Sequence, residues 1–560
     1  MAIPTEAGPS PTVAPRRQLT LFDSTSIIMG IIIGATIYES SPWIASNVRG
    51  LGGLVLAWLL GGVCSLVGAL CYAELATTYP EAGGDYVYLT RAFGRPIGFW
   101  FAWTQLWVIR PGSIGAFAFV FAHYAQKLQP LPFGDTPSML LYAAGSVIVL
   151  SLINILGVPE GKWTQNLLTV AKVLGLAGIV IVGLTLTAPG ASRPVIEPAG
   201  TGWHDMIGQF GVAMIFVLYA YGGWNEMAYV AAEVRNPRQN ISRALILGTV
   251  GVTAIYLLVT LAFVHALGLA GLRRSDAVAA DVLQLGLGQR GGKLVSLLIC
   301  ISALGGTNGM IFTGARIYYA MGRDHRLYAW LGRWSPRFGT PVVSLLIQAA
   351  ITLGLIIGFG LTASGFVQMV KFTSPPFWAF LVLVGLSVFV LRWREGKGGQ
   401  SPFVRSTRRA GTDRRLVPAN GDGPLFPDGT TRSYRVPGYP VTPLLFCLYS
   451  GYMVYTSLAY AYRERTWEAV WSVEILLMGA VLSIFAVYPL GRVGKIVSGL
   501  ALSTVGAAAA VFHAHLARLV LAPLGVRTDA RNEILLAAIP LLALGLVVLA
   551  TGLMKERSSG

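Results

Sequence analysis

Lys172 lies in Val170-Ala171-Lys172-Val173-Leu174-Gly175-Leu176, with apolar residues on both sides. An ionisable group inside such a run is expensive to hold in hydrocarbon and marks a site where charge is handled. There it can stand in for a bound cation, release a proton, or stretch its apolar stem toward the nearby interface. Glu39, in Ile37-Tyr38-Glu39-Ser40-Ser41, is a second charge of this kind. Three roles are open to it: binding a ligand ammonium, accepting a coupling proton, or meeting water through a polar wall. Arg110 precedes Pro111 in Trp107-Val108-Ile109-Arg110-Pro111-Gly112. Proline removes a backbone donor and kinks a helix, so the guanidinium beside it needs a partner or water. Structural support and gating of a path are both open to Arg110, and Gln105 is a weaker candidate of the same kind.

The elements that must hold these groups are membrane helices. Of 560 residues, 54% are hydrophobic and only 12% charged, and the mean hydropathy of +0.63 leaves too little polar surface for a soluble fold. A helix crosses about 30 Å of hydrocarbon in roughly 20 residues. Fourteen stretches meet that length: 22–47, 51–78, 97–125, 137–156, 163–188, 207–231, 244–268, 293–320, 341–360, 363–391, 440–461, 469–490, 495–517 and 532–554. The expectation is an all-α polytopic membrane protein. Its parts would be an N-terminal tail (1–20), a core (21–391), a connector (392–439), C-terminal spans (440–554) and a tail (555–560). The first apolar run is too long for a cleaved leader and flows into a second span. Lys and Arg concentrate on the side of the N-terminus, which the positive-inside rule makes cytoplasmic. The net charge of +17 is therefore topological, and no nucleic-acid partner is implied. Cys64, Cys71, Cys300 and Cys447 sit in apolar surroundings without ligand spacing and read as packed thiols. No nucleotide loop, metal cluster or repeated filter motif is visible. A gradient-driven carrier without cofactor fits better than a pump, channel or enzyme.

Two spans are interrupted by small residues, the first at Gly34-Ala35-Thr36 and the sixth at Tyr221-Gly222-Gly223. A helix that breaks at membrane depth must line protein or a wet cavity, and broken spans at matching places in two halves point to a substrate site. Exposed amides at a half-helix N-terminus favour an anion such as a carboxylate; small residues also simply permit close packing. Trp224 would close or line the pocket, and Asn308, in Gly305-Gly306-Thr307-Asn308-Gly309, could contact the broken helix. Spans one to five and six to ten form two repeats, inverted because each holds an odd number. Spans eleven to fourteen would brace the scaffold or form an oligomer contact. Glu233 and Arg235 follow span six, and Arg316, Arg323 and Asp324 stand at the end of span eight. Such opposed charges either work an inward gate or set topology and pair at the surface.

Over residues 20–490 the chain resembles the amino acid–polyamine–organocation superfamily, and within it the L-type amino acid transporter-like branch. The resemblance rests on Gly34-Ala35-Thr36-Ile37-Tyr38, on Tyr221-Gly222-Gly223-Trp224-Asn225 followed by Glu233-Val234-Arg235-Asn236-Pro237, and on Gly314-Ala315-Arg316-Ile317-Tyr318-Tyr319-Ala320-Met321-Gly322-Arg323-Asp324. Tyr434-Arg435-Val436-Pro437-Gly438-Tyr439-Pro440 adds a fourth motif, and Ile109-Arg110-Pro111 points to the L-type branch. The resemblance implies a five-plus-five inverted-repeat fold with about four added helices. It implies amino acid transport across the plasma membrane by alternating access, through proton symport or exchange. By the same resemblance, backbone at Gly34 and Ala35 would take the substrate carboxylate. Carbonyls near Phe216, Tyr219 and Ala220 would hold its amino group, and Lys172 would replace a second sodium. Thr36 stands where the family has a second glycine, Glu39 is unusual, and the last 65 or so residues are an addition. A polyamine or other organic-cation carrier is the alternative, and it would use Glu39 or Glu226.

Overall fold

The computed structural model describes residues 17–34, 36–189, 203–275, 277–288, 290–325, 328–360, 365–396, 434–464 and 467–487. The expected spans thirteen and fourteen, both tails except residues 17–20, most of the connector, Ala35 and the Glu39 side chain lie outside this description.

Helix α1 (Leu21–Ile32) starts from a capping box: Asp23 N donates to Thr20 Oγ1 at 3.2 Å, and Thr20 N donates back to Asp23 Oδ2 at 2.9 Å. It stops at Ile33–Gly34 and resumes as α2 (Thr36–Ser46). Then come α3 (Gly50–Thr78), α4 (Asp85–Phe93) and α5 (Arg95–Thr104). A single π turn, Gln105–Ile109, joins α5 to α6 (Arg110–Leu128). Pro111 comes two residues after that turn ends, and the wider ring of a π turn is where a helix absorbs a missing donor. Helices α7 (Asp135–Leu156) and α8 (Val158–Thr185) complete the first half.

The second half opens with α9 (Trp203–Ala220), which breaks at Tyr221–Gly223 and continues as a 3-10 segment, Trp224–Glu233. It proceeds through α10 (Pro237–Arg274), α11 (Val278–Leu287), α12 (Arg290–Asp324), α13 (Val342–Gly360) and α14 (Gly365–Gly396). Helix α14 thus runs past residue 391, where the span was expected to end. Helices α15 (Val441–Glu464) and α16 (Trp467–Val487) follow.

Among the described residues nine helices are long and apolar enough to cross a membrane, matching expected spans two to five and seven to eleven. Span one misses that length because it is cut in two; span six is also interrupted, and its first half, Trp203–Ala220, is not among the nine. The all-helical architecture is as expected.

Two contacts tie distant segments together. Leu19 and Val234 form a parallel bridge, with Arg235 N donating to Leu19 O at 2.8 Å, so the entry to α1 is fastened to the end of the 3-10 segment. Glu74, near the end of α3, accepts both Arg392 Nε (2.6 Å) and Arg392 Nη2 (2.5 Å), and also Val436 N (2.6 Å). A bidentate Arg–carboxylate pair fixes geometry as well as charge. One carboxylate therefore clasps the end of α14 and the approach to α15.

Candidate functional site

Where α1 ends, its last carbonyls have no helical donor. Lys172 of α8 supplies one: Nζ donates to Gly30 O at 2.6 Å, Ile33 O at 2.8 Å and Ser302 O at 3.1 Å. Ser302 Oγ adds a bond to Ile33 O at 2.9 Å. An ammonium has three donors, and all three are used. Lys172 is fully buried, so of its possible roles the stretch toward the interface is excluded. Its charge is met by the negative end of a half-helix, and no carboxylate bonds to it among the described residues.

The second break turns through Gly223, whose φ of 118° lies in the left-handed region that glycine tolerates. A Cβ there would come within 2.6 Å of Ile31 in α1, so the two breaks are pressed together. Tyr256 of α10 links them: its hydroxyl is 2.8 Å from Ile32 O and 3.1 Å from Ala220 O, the carbonyls that close the two half-helices. Its ring packs against Trp58 and Tyr221, at 5.1 and 5.3 Å between centroids. The arrangement brings the carbonyl end of α9 beside the first break, from which α2 begins with its free amides.

Phe117 of α6 faces this region. A Cβ at position 34 would lie 3.3 Å from its ring, and one at position 306 would lie 2.8 Å from it. The gap between the first break and α12 is therefore an aromatic one. Phe216 stacks on Trp43 at 6.3 Å, beside the second break, and Tyr219 and Trp43 are 37% and 64% exposed. Trp224 is buried against Tyr72 (5.0 Å) and Phe446 (5.9 Å) and lines a small cleft with Ser65, Gly222, Asn225, Phe377 and Tyr449. Helix α15, expected to brace the scaffold or form an oligomer contact, reaches this cleft through Phe446 and Tyr449.

The hydrogen bonds of the Asn308 side chain do not run to the broken helix. The side chain turns to α7 and α8, accepting from Asn154 Nδ2 at 2.8 Å and donating to Gly161 O (3.1 Å) and Gln165 Oε1 (3.0 Å). Arg110 finds a partner in Glu226 at 2.5 Å, with Gln105 Oε1 at 3.2 Å and Thr313 Oγ1 at 3.3 Å, and its guanidinium lies over the Tyr229 ring. Both charges are buried, so Glu226 is occupied.

Of the gating candidates, Glu233 and Arg316 form a bidentate pair at 2.8 and 3.2 Å with both side chains 1% exposed. The surface-pairing expectation is corrected here, because α12 continues through Arg316 to Asp324 and buries it. Asp324 accepts from Tyr86 Oη at 2.7 Å. Arg323 lies over Tyr319 at 6.0 Å. Arg235 is exposed and contributes its backbone to the Leu19 bridge. Nearby, Tyr229 Oη donates to Asp85 Oδ2 at 2.6 Å.

Sequence reasoning missed Phe117, Tyr256 and Ser302. Each sits in an apolar helix with no local signal, and only the helix packing turns it to the breaks.

The family model described as amino acid permease matches residues 19–481, which covers both breaks. The human b(0,+)-type amino acid transporter 1 is 30% identical over 493 residues, 87% of this chain and 91% of that protein. The mouse b(0,+)-type amino acid transporter 1 is 28% identical over 484 residues, 85% and 89% of the two chains. The human large neutral amino acids transporter small subunit 2 is 30% identical over 387 residues, 68% and 71%. With two broken helices joined around a buried lysine and this extent of likeness, the chain belongs to the amino acid permease family, in its L-type branch, and is a membrane transporter of amino acids rather than an enzyme.

Proposed function

We propose that this permease carries neutral amino acids across the plasma membrane by alternating access, with its N-terminus cytoplasmic and proton movement coupled through Lys172. The observation that carries the reading is the Lys172 ammonium on Gly30 O, Ile33 O and Ser302 O at the first break. A neutral amine has two donors instead of three. Loss of the proton would leave one of these carbonyls without its partner and loosen the segment that binds substrate. A second sodium is not needed in such a site, because the ammonium already supplies its charge.

The substrate carboxylate goes to the amides of Gly34, Ala35 and Thr36, and its ammonium to the carbonyl end of α9 around Phe216, Tyr219 and Ala220. The two five-span repeats are related by inversion, so both breaks meet at mid-membrane. The pair Glu233–Arg316, with the bridge of Leu19 to Val234, closes the cytoplasmic side. The name of the large neutral amino acids relative supports neutral cargo. An organic-cation cargo has less support, since Glu226 is held by Arg110.

The test is uptake of a labelled amino acid panel and putrescine into proteoliposomes, with and without an inward proton gradient. Saturable amino acid uptake that the gradient stimulates is expected. Counterflow indifferent to the gradient would replace symport by exchange, and putrescine uptake alone would overturn the amino acid cargo.

A further inference from the structure

The buried ammonium needs a route by which its proton can leave, and one seam of the core has the composition for it. On α8, Lys162, Gln165, Asn166, Thr169 and Lys172 recur at three- and four-residue steps, the spacing of one helix face. Helix α1 meets that face with Asp23, Ser26 and Gly30, again three and four apart. Thr169 Oγ1 donates to Ser26 O at 3.1 Å, and Asn166 Nδ2 donates to Asp23 Oδ1 at 2.7 Å. Gly30 is small where the seam is tightest, since a Cβ there would strike both Gln165 Nε2 and Thr169 Oγ1. Lys172 bonds to the carbonyl of that same glycine.

The seam ends at an ion pair, Lys162 Nζ to Asp23 Oδ2 at 3.2 Å, with the Lys162 side chain 19% exposed and that of Asp23 6%. This end lies next to the Leu19 bridge. Asp23 and Lys162 are the titratable groups of the described residues in these contacts below Lys172; the remaining members are neutral amides and hydroxyls.

Along the seam the hydrogen bonding is incomplete. Ser26 Oγ, Gln165 Nε2 and Asn166 Oδ1 are buried without a protein partner. Nearly all buried polar atoms in folded proteins are bonded, and those that lack a protein group are met by water. The three atoms share one helix interface, in the stretch between the ammonium and the ion pair. Hydroxyls and water both donate and accept, so a chain of them can hand on a proton, whereas carbonyls alone cannot.

We propose that the α1–α8 seam is a hydrated proton relay joining Lys172 to Asp23 at the cytoplasmic end. It rests on the reading of Lys172 as the coupling group. In the releasing step Lys172 ammonium gives one proton to seam water and becomes the neutral amine. The water chain passes a proton by Ser26 to the Asp23 carboxylate, which hands it to cytoplasmic water and returns to its charged form. The proton leaves and no other bond is made or broken.

The experiment uses the full chain in proteoliposomes, an equimolar mixture of labelled neutral L-amino acids, and a trapped pH-sensitive dye. Proton-driven uptake and proton entry are measured beside counterflow, which needs no net proton movement. Ser26→Ala removes an unpartnered hydroxyl, and Gln165→Met keeps the side chain's length without its amide. For both, proton-driven uptake should fall about tenfold or more while counterflow stays within about twofold of the parent. Equal losses in both assays would make the seam a packing feature and overturn the relay, as would undiminished proton entry in Ser26→Ala. Parent uptake indifferent to the gradient would instead overturn the coupling role of Lys172, and the relay with it.

Discussion

Lys172 Nζ stands 2.8 Å from the carbonyl of Ile33, the residue that caps α1 at its break. The charge of one helix thus holds the frayed end of another. Replacing it by methionine keeps the stem and removes all three donors, and a buried carbonyl left without any partner costs about 1–3 kcal/mol. Lys172→Met should lose stimulation by a proton gradient and most of its uptake. Gradient-stimulated uptake equal to that of the parent would end the coupling role.

Arg110 and Glu226 are a buried pair joining α6 to the segment after the second break. Breaking one side of such a pair strands a charge and costs about 3–5 kcal/mol, while an apolar replacement of both is far better tolerated. Thermal unfolding in detergent should therefore show Arg110→Leu and Glu226→Leu each strongly destabilised and the double variant recovering most of the loss. Additive losses would mean the pair does not act as a unit.

Closure of the cytoplasmic end by Glu233 and Arg316 predicts its own signature. Glu233→Gln removes the charge and keeps the shape, so the inner end should open more often. A cysteine introduced at Leu19, fully buried in this structure, should then react faster with a membrane-impermeant thiol reagent applied from the inside. An unchanged rate would place the closure elsewhere.

Gly223 turns in the left-handed region against Ile31. Gly223→Ala adds both a backbone penalty of roughly 1–2 kcal/mol and a clash at the junction of the breaks. Transport should drop sharply with the protein still inserted, and activity near that of the parent would remove the junction from the mechanism.

Phe117 occupies the space opposite Gly34 and Gly306. Phe117→Ala should lower KM for amino acids with large side chains relative to small ones, since one pocket contact shifts such ratios by about 1–3 kcal/mol. A uniform change across the panel would deny Phe117 a part in selection.

Much of this was legible in the chain. The two interruptions could be read because Gly34 and Gly222-Gly223 fall inside long apolar runs, where a break has few tolerable surroundings. Lys172 stood out because a charge in such a run is costly. The partners were hidden for a geometric reason. Tyr256 and Ser302 are ordinary residues of apolar helices, and which face they present depends on how α10 and α12 lie against α1. Asn308 shows the same limit from the other side: its small-residue neighbourhood suggested a contact with the broken helix, and its amide bonds to α7 and α8. For Arg316 the residues left an inward gate and surface pairing both open, because nothing local tells that Glu233 accompanies it into the interior.

The clasp of Glu74 on Arg392 and Val436 brings residues 392 and 436 to one point on the protein. The chain between them leaves and returns at that point, so its length is nearly decoupled from the transport core. Closing a loop whose ends are already fastened grows costlier only slowly, by about 0.6 kcal/mol for each doubling of length. A protease cut or an inserted tag between 397 and 433 should leave α15 seated on α14, making this the place to attach a reporter without disturbing the cycle.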